Sequence, residues 1–323
     1  MDRRTFIGAL AALPTAAASA EAPAPPLDSA EAIPLWPAAP PGSPGVPPAQ
    51  HVSEQSPDPN VFHNRELTGI ARPLLYVVRP EQPDGSALLV APGGGYSELG
   101  IDNEGFDIAD RFRTAGVTAF ILVYRLPGEG WLGGRDVPLQ DAQRAMRLIR
   151  ADASAFGIDP ARLGVMGFSA GGHLAASLAE RFDAPIYEVQ DTADSLSAKP
   201  AFAALLYPVI TMLPPYAHEA SRERLLGTNP STALRAAYSC ERRVTADTPP
   251  MFLTAALDDP DVPPENTLSM FAALRTEHVP VEMHLFERGG HGFAIRGTAG
   301  LPVAAWPDLF LRWAASKGWL RGA

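Results

Sequence analysis

The run Leu163-Gly164-Val165-Met166-Gly167-Phe168-Ser169-Ala170-Gly171-Gly172-His173 decides the reading of this chain. Leu163 to Met166 is short and apolar, as a buried strand should be, and Ser169 to Arg181 carries a helical pattern. Between them stands Gly167-Phe168-Ser169-Ala170-Gly171, a Gly-x-Ser-x-Gly turn in strand–turn–helix context. The two glycines fit such a tight turn, because a Cβ at either flank would strike the neighbouring strand or helix. The serine is then held in a strained backbone conformation at a helix N-terminus, where the helix dipole favours developing negative charge. Those are the conditions a nucleophilic hydroxyl needs.

Such a serine requires a base, and the base requires an orienting carboxylate. Downstream, His291 lies in Gly289-Gly290-His291-Gly292-Phe293, just after the last expected strand, Val279–Phe286. A histidine among glycines at a strand end suits a loop-borne base better than a core position. The acid should follow the preceding strand, where the sequence offers Asp258-Asp259-Pro260-Asp261-Val262-Pro263. Asp259 fits an Asp-x-x-Val-Pro register; Asp258 and Asp261 remain the alternatives, as turn carboxylates. Upstream, Gly93-Gly94-Gly95-Tyr96 follows the apolar strand Ala87–Ala91. Acyl transfer needs two backbone N–H donors for a tetrahedral oxyanion, expected from Ala170 and from Gly94 or Gly95. The same glycines do not make a dinucleotide loop, because Glu98 occupies the place of the third glycine.

Strands are expected at 74–78, 87–91, 117–124, 163–166, 203–207, 251–256 and 279–286. Helices are expected at 105–114, 139–153, 169–181, 266–276 and 303–316. This alternation predicts an α/β fold with a mostly parallel central sheet and helices on both faces. Residues 66–323 form the expected catalytic domain. Residues 21–60 hold 12 of the chain's 34 prolines, so 21–65 reads as an extended strap, which Leu35 and Trp36 would pin to the folded body. Residues 1–20 read as a twin-arginine export signal: Arg3-Arg4, an apolar run from Phe6 to Leu13, and Ala18-Ser19-Ala20 as cleavage site. Export to the periplasm or medium follows. The apolar run is too short for a bilayer, which takes about 20 residues, so no stable membrane insertion is expected.

Several segments together resemble the α/β-hydrolase superfamily: 91–96 (APGGGY), 124–126 (YRL), 141–144 (DAQR), 157–160 (GIDP), 167–173 (GFSAGGH) and 289–293 (GGHGF). The likeness is to exported acetyl-esterase and xylan-esterase-like proteins, near the feruloyl-esterase and hormone-sensitive-lipase groups. It implies a serine esterase with Ser169, Asp259 and His291 as its triad, no cofactor, and a small-molecule or oligosaccharide ester as substrate. Pro92 stands where a lipase-like His-Gly-Gly-Gly motif has its histidine, and no long cap insertion separates the elbow strand from Asp259. Both features point away from long-chain lipids and from a large cap domain. An exported peptidase of the prolyl-oligopeptidase type shares the elbow, but usually carries a propeller domain whose repeats are missing here. A non-catalytic binding protein on the same scaffold would usually lose a triad member.

Composition narrows the partners. A net charge of −10 argues against nucleic acid, whose phosphates need clustered cations. The chain has only two lysines, Lys199 and Lys317, and neither sits in a P-loop or a Ser-x-x-Lys pair. The single cysteine, Cys240, excludes an internal disulfide and a thiolate metal cage. Glu282 and His284 share a strand face, but no third ligand follows at a metal-like spacing. Tyr96 and Trp131, in loops where strands end, are candidates for substrate contact. His173, four residues after Ser169 on the same helix face, either lines the acyl pocket or packs in the interior.

Overall fold

The computed structural model describes Leu27 and residues 30–321; the expected export signal at 1–20 lies outside the described residues. Strands β1 (Ala32–Pro34), β2 (His51–Glu54), β3 (Arg65–Thr68), β4 (Leu74–Val78), β5 (Ala87–Ala91) and β6 (Leu99–Gly100) precede helix α1 (Asp107–Arg113). Then come β7 (Thr118–Val123), α2 (Val137–Ala151), the short α3 (Ala153–Phe156), β8 (Leu163–Phe168) and α4 (Ser169–Glu180). β9 (Ala203–Leu206), α5 (Glu219–Leu226), α6 (Thr232–Ala237), β10 (Met251–Ala256), α7 (Glu265–Thr276), β11 (Val281–Phe286) and α8 (Trp306–Ser316) complete the chain.

Eight strands form one sheet in the order β1-β4-β7-β5-β8-β9-β10-β11. From β7 to β11 every pair is parallel, whereas β4 runs antiparallel to both β1 and β7. Every residue of β5, β7, β8, β9 and β10 is buried, which explains why these strands read as continuous apolar runs. Helices cover both faces. On one, α1 and α8 meet through Phe112 and Phe310, ring centroids 5.3 Å apart. Elsewhere the apolar side of α2 lies against α4.

Register decides where the site forms. Ala91 pairs with Gly167, Phe168 with Leu206, and Ala256 with Phe286. The segments that follow these residues therefore leave the sheet at a single edge, the carboxyl ends of the parallel strands, where open α/β sheets bind ligands. Those segments carry the glycine loop, Ser169, Tyr207, Asp259 and His291.

Four short strands escaped the sequence reading. β1 lies within the proline-rich segment and adds an edge strand beside β4. β2, β3 and β6 make a separate antiparallel sheet, whose β6 immediately follows the glycine loop. The strap is fastened by polar contacts as well as by burial. Leu35 and Trp36 are buried; Trp36 Nε1 donates to Asp141 Oδ1 at 2.7 Å and Arg144 Nε to the Leu35 carbonyl at 2.9 Å. Arg125, wholly buried and paired with Asp141 at 2.8 Å, donates to the Pro41 carbonyl at 2.6 Å. A buried ion pair is tolerated when its remaining donors are satisfied. The helix expected at 105–114 begins as a π turn over Asp102–Phe106 before α1. Asp102, the first residue of that turn, accepts from the Arg65 backbone N–H and guanidinium, at 2.6 and 2.9 Å.

Candidate active site

Ser169 sits at the β8–α4 junction with φ +50°, a left-handed value that costs a non-glycine residue about 1–3 kcal/mol. Its flanking glycines are obligatory. A Cβ on Gly167 would lie 2.2 Å from the Gly171 carbonyl oxygen, and one on Gly171 would lie 2.1 Å from the Ala91 carbonyl oxygen. The elbow is therefore packed directly onto β5 and the start of the glycine loop.

Three segments then converge. His291 Nε2 lies 2.9 Å from Ser169 Oγ, and His291 Nδ1 lies 2.8 Å from Asp259 Oδ2. The other Asp259 oxygen accepts the backbone N–H groups of Asp261 and Val262, both at 2.9 Å, which locks its rotamer toward the imidazole. Asp258 instead accepts from the N–H groups of Gly289 and Gly290, both at 2.8 Å, and so ties down the turn that presents His291. Asp261 is exposed and enters this turn through its backbone. Burial opposes the imidazolium form of His291. The hydrogen bond and charge of Asp259, with Glu104 and Asp261 adding, outweigh it and hold the pKa above its ordinary value. This arrangement can take a proton from Ser169 and stabilise the resulting cation.

Residues 92–95 lie over the nucleophile: a Cβ on Gly93 would sit 2.9 Å from the Ser169 Cβ. Most of the loop's backbone groups are engaged. The Pro92 carbonyl accepts from Tyr124 Oη at 2.8 Å, the Gly93 N–H donates to Glu104 Oε2 at 2.6 Å, and the Gly93 carbonyl accepts from the Gly100 N–H at 3.1 Å. The Gly94 carbonyl accepts from Ser97 and Glu98. Among the described residues, none accepts from the N–H of Gly94 or Gly95, which leaves these two as donors alongside Ala170. Gly94 has φ +123°, and a Cβ there would lie 2.2 Å from the Glu98 carbonyl oxygen, so only glycine makes this turn.

The three expected substrate-contact residues, Tyr96, Trp131 and His173, are all buried. Tyr96 and His173 are both buried and bonded to each other, Tyr96 Oη to His173 Nδ1 at 2.8 Å, while His173 Nε2 meets the Tyr238 carbonyl at 2.8 Å. With both ring nitrogens used, His173 is an interior strut rather than a pocket wall, and burial lowers its pKa to about 4. Trp131 stacks 4.9 Å over the Arg125 guanidinium and lines a cavity of about 820 Å³ beneath the strap. Its indole is buried. Sequence reasoning missed Tyr207, whose hydroxyl donates to Glu104 Oε1 at 2.8 Å and whose ring stands 5.1 Å from that of His291. It also missed Asn103, which donates to the Gly292 carbonyl at 3.2 Å. Neither residue belongs to a local motif; both reach the site only through tertiary folding.

Residues 132–314 match the sequence profile of the prolyl oligopeptidase family. An acetylxylan esterase from Xylanibacter ruminicola is 34% identical over 218 residues, 66% of this chain and 42% of that protein. Endo-1,4-beta-xylanase B from Butyrivibrio fibrisolvens is 38% identical over 208 residues, 64% of this chain and 32% of that protein. The chain thus spans less than half the length of these curated relatives. The crystal structure of an acetyl ester-xyloside bifunctional hydrolase from Caldicellulosiruptor lactoaceticus is matched along 94% of this chain and 100% of that one, with TM-score 0.72 and 33% identity. A profile covering more than half of the sequence, and a whole relative matched along its length, establish that the chain belongs to the prolyl oligopeptidase family of the α/β-hydrolase superfamily.

Proposed function

We propose that the protein is an exported serine esterase that removes short acyl groups, chiefly acetyl, from acetylated carbohydrate such as xylan fragments. The observation that carries this reading is the Ser169–His291–Asp259 relay lying against a loop with uncommitted N–H donors. Ser169 Oγ attacks the ester carbonyl while His291 Nε2 takes its proton, and Asp259 holds the imidazole in the tautomer that can accept it. The oxyanion settles on the N–H groups of Ala170 and of Gly94 or Gly95. Collapse expels the sugar alcohol, which takes the proton back from Nε2. A water then attacks the acyl-enzyme by the same route and releases acetate. The acetyl and xylan assignment draws on the relatives, whose names describe acetylxylan esterase and acetyl ester-xyloside hydrolase activities.

The export signal at 1–20 would deliver a mature chain beginning near Glu21 to the periplasm or medium. Replacing Arg3 and Arg4 by Lys should leave unprocessed protein in the cytoplasm. The segment between β9 and β10 carries only short helices, α5, α6 and a 3-10 turn at Cys240–Arg242, and offers little with which to enclose a long chain. Each unburied methylene forgoes about 0.8 kcal/mol, so kcat/KM should not rise from acetate to decanoate esters. The deciding assay compares nitrophenyl acetate, butyrate, octanoate and decanoate, then acetyl release from acetylated xylo-oligosaccharides. Preference for octanoate over acetate would overturn the short-acyl reading. Acetate cleavage without release from any acetylated sugar would overturn the carbohydrate assignment.

A further inference from the structure

Behind the glycine loop lies a buried carboxylate that the reaction as described does not use. Glu104 is 8% exposed. Its two oxygens are divided between two different parts of the site: Oε2 receives the Gly93 N–H at 2.6 Å, and Oε1 receives the Tyr207 hydroxyl at 2.8 Å. Gly93 belongs to the loop that carries the free N–H donors. Tyr207 belongs to the segment after β9, and its ring meets His291 at 5.1 Å and Phe293 at 4.5 Å, both edge-to-face. We propose that Glu104 and Tyr207 are positioning residues that fix the oxyanion loop and His291 in one mutual register. The inference rests on the esterase reading above and extends it to residues that never touch substrate.

The packing leaves little room for another register. A Cβ on Gly93 would lie 2.7 Å from Glu104 Oε2 and 2.9 Å from the Ser169 Cβ, so carboxylate, loop and nucleophile are in direct succession. Tyr207 is held at φ +37°, and its N–H donates to the Thr254 carbonyl at 2.7 Å. A strained tyrosine of this kind persists only where its surroundings over-determine it. Charge acts in the same sense as geometry. Burial pushes the Glu104 carboxyl upward, while the Tyr207 hydroxyl, the Gly93 N–H and His291 favour its charged form. Tyr124, which also faces this carboxyl, is itself raised by burial and by Glu104's charge. Around His291, Asp259, Glu104 and Asp261 favour the imidazolium; His218, whose own pKa is lowered by burial and by His291, is a nearby group that would carry like charge. Loss of Glu104's charge therefore makes His291 easier to deprotonate.

The test is kcat and KM for nitrophenyl acetate across pH, in wild type, Glu104→Gln and Tyr207→Phe. An amide oxygen can accept from the Gly93 N–H, but the amide nitrogen can only donate to the Tyr207 hydroxyl, so Glu104→Gln loses the charge and reverses the Tyr207 hydrogen bond. Its kcat should fall roughly 10–100-fold, somewhat less than deletion of an oxyanion donor itself, with KM within about two-fold. Its acid limb in kcat/KM should move to lower pH. Tyr207→Phe should shift the limb the same way by less, because Glu104 then loses a donor that favours its charge; it also carries the test if Glu104→Gln does not fold. Wild-type kcat in Glu104→Gln, or reduced kcat with an unmoved acid limb in both variants, would overturn the proposal and assign the pair a purely structural role. A wild type that cleaves no acyl ester at any pH would instead overturn the esterase reading beneath it.

Discussion

Two histidines lie close to the elbow, and the fold gives them opposite characters. His291 stands on a glycine turn beyond β11, shares its nitrogens between Ser169 and Asp259, and has its pKa raised. His173 lies four residues into α4, shares its nitrogens between Tyr96 and the Tyr238 carbonyl, and has its pKa lowered to about 4. Burial opposes the charged form at both positions. The difference is the neighbouring charge: Asp259 compensates an imidazolium at His291, whereas at His173 the nearby charge is Arg181, which opposes one. In the proposed mechanism the first ring gains a proton during turnover; the second is kept neutral by its surroundings.

Removing either end of the His291 relay should give the largest effect. Ser169→Ala and His291→Gln should each lower turnover by roughly 10⁴–10⁶ with the fold intact, as read by ester hydrolysis beside a thermal melt. Asp259→Asn should cost about 10⁴, because the imidazole then adopts the wrong tautomer. Asp258→Asn should cost far less, since it loosens the 289–290 turn without touching the ring. A loss at Asp258 equal to that at Asp259 would break the distinction between orienting acid and turn brace. His173→Gln should leave turnover within about ten-fold of wild type, yet cost about 1–3 kcal/mol of stability in denaturant unfolding by stranding the Tyr96 hydroxyl.

Acid separates the two rings by sign. Activity needs neutral His291, so kcat/KM should rise with pH through a midpoint above the ordinary histidine value of about 6.5. His173 is neutral when folded and protonates more readily when unfolded, so between about pH 6.5 and 4 the unfolded chain binds the extra proton and stability falls as pH falls. Linkage sets this loss on the order of 3 kcal/mol at its full extent. Activity should therefore disappear, reversibly, before the fold does. His173→Gln should flatten the acid dependence of stability while leaving the activity midpoint in place.

The sequence made the His291 side legible and the His173 side only half so. Ser169, His291 and the 258–261 turn stand in short patterns whose glycines are demanded locally, so a linear reading finds them. The buried parallel strands were equally plain, because both faces are covered and the runs are continuously apolar. Tyr96, Trp131 and His173 were placed on the correct elements, but that the polar atoms of Tyr96 and His173 face the interior depends on Tyr238, 65 residues beyond His173 in the chain. Glu104 and Tyr207 meet only through tertiary folding, 103 residues apart, and Tyr207 reads in the sequence as the end of an apolar strand. β1, β2, β3 and β6 span two to four residues each, too few for a period to register.

In the proposed reaction Ser169, activated by His291, is the nucleophile. Treatment with a fluorophosphonate followed by peptide mass spectrometry identifies the reactive serine. One adduct is expected, on Ser169, absent from Ser169→Ala, strongly slowed in His291→Gln and retained in His173→Gln. Labelling that persists in Ser169→Ala, or that requires His173 rather than His291, would contradict it.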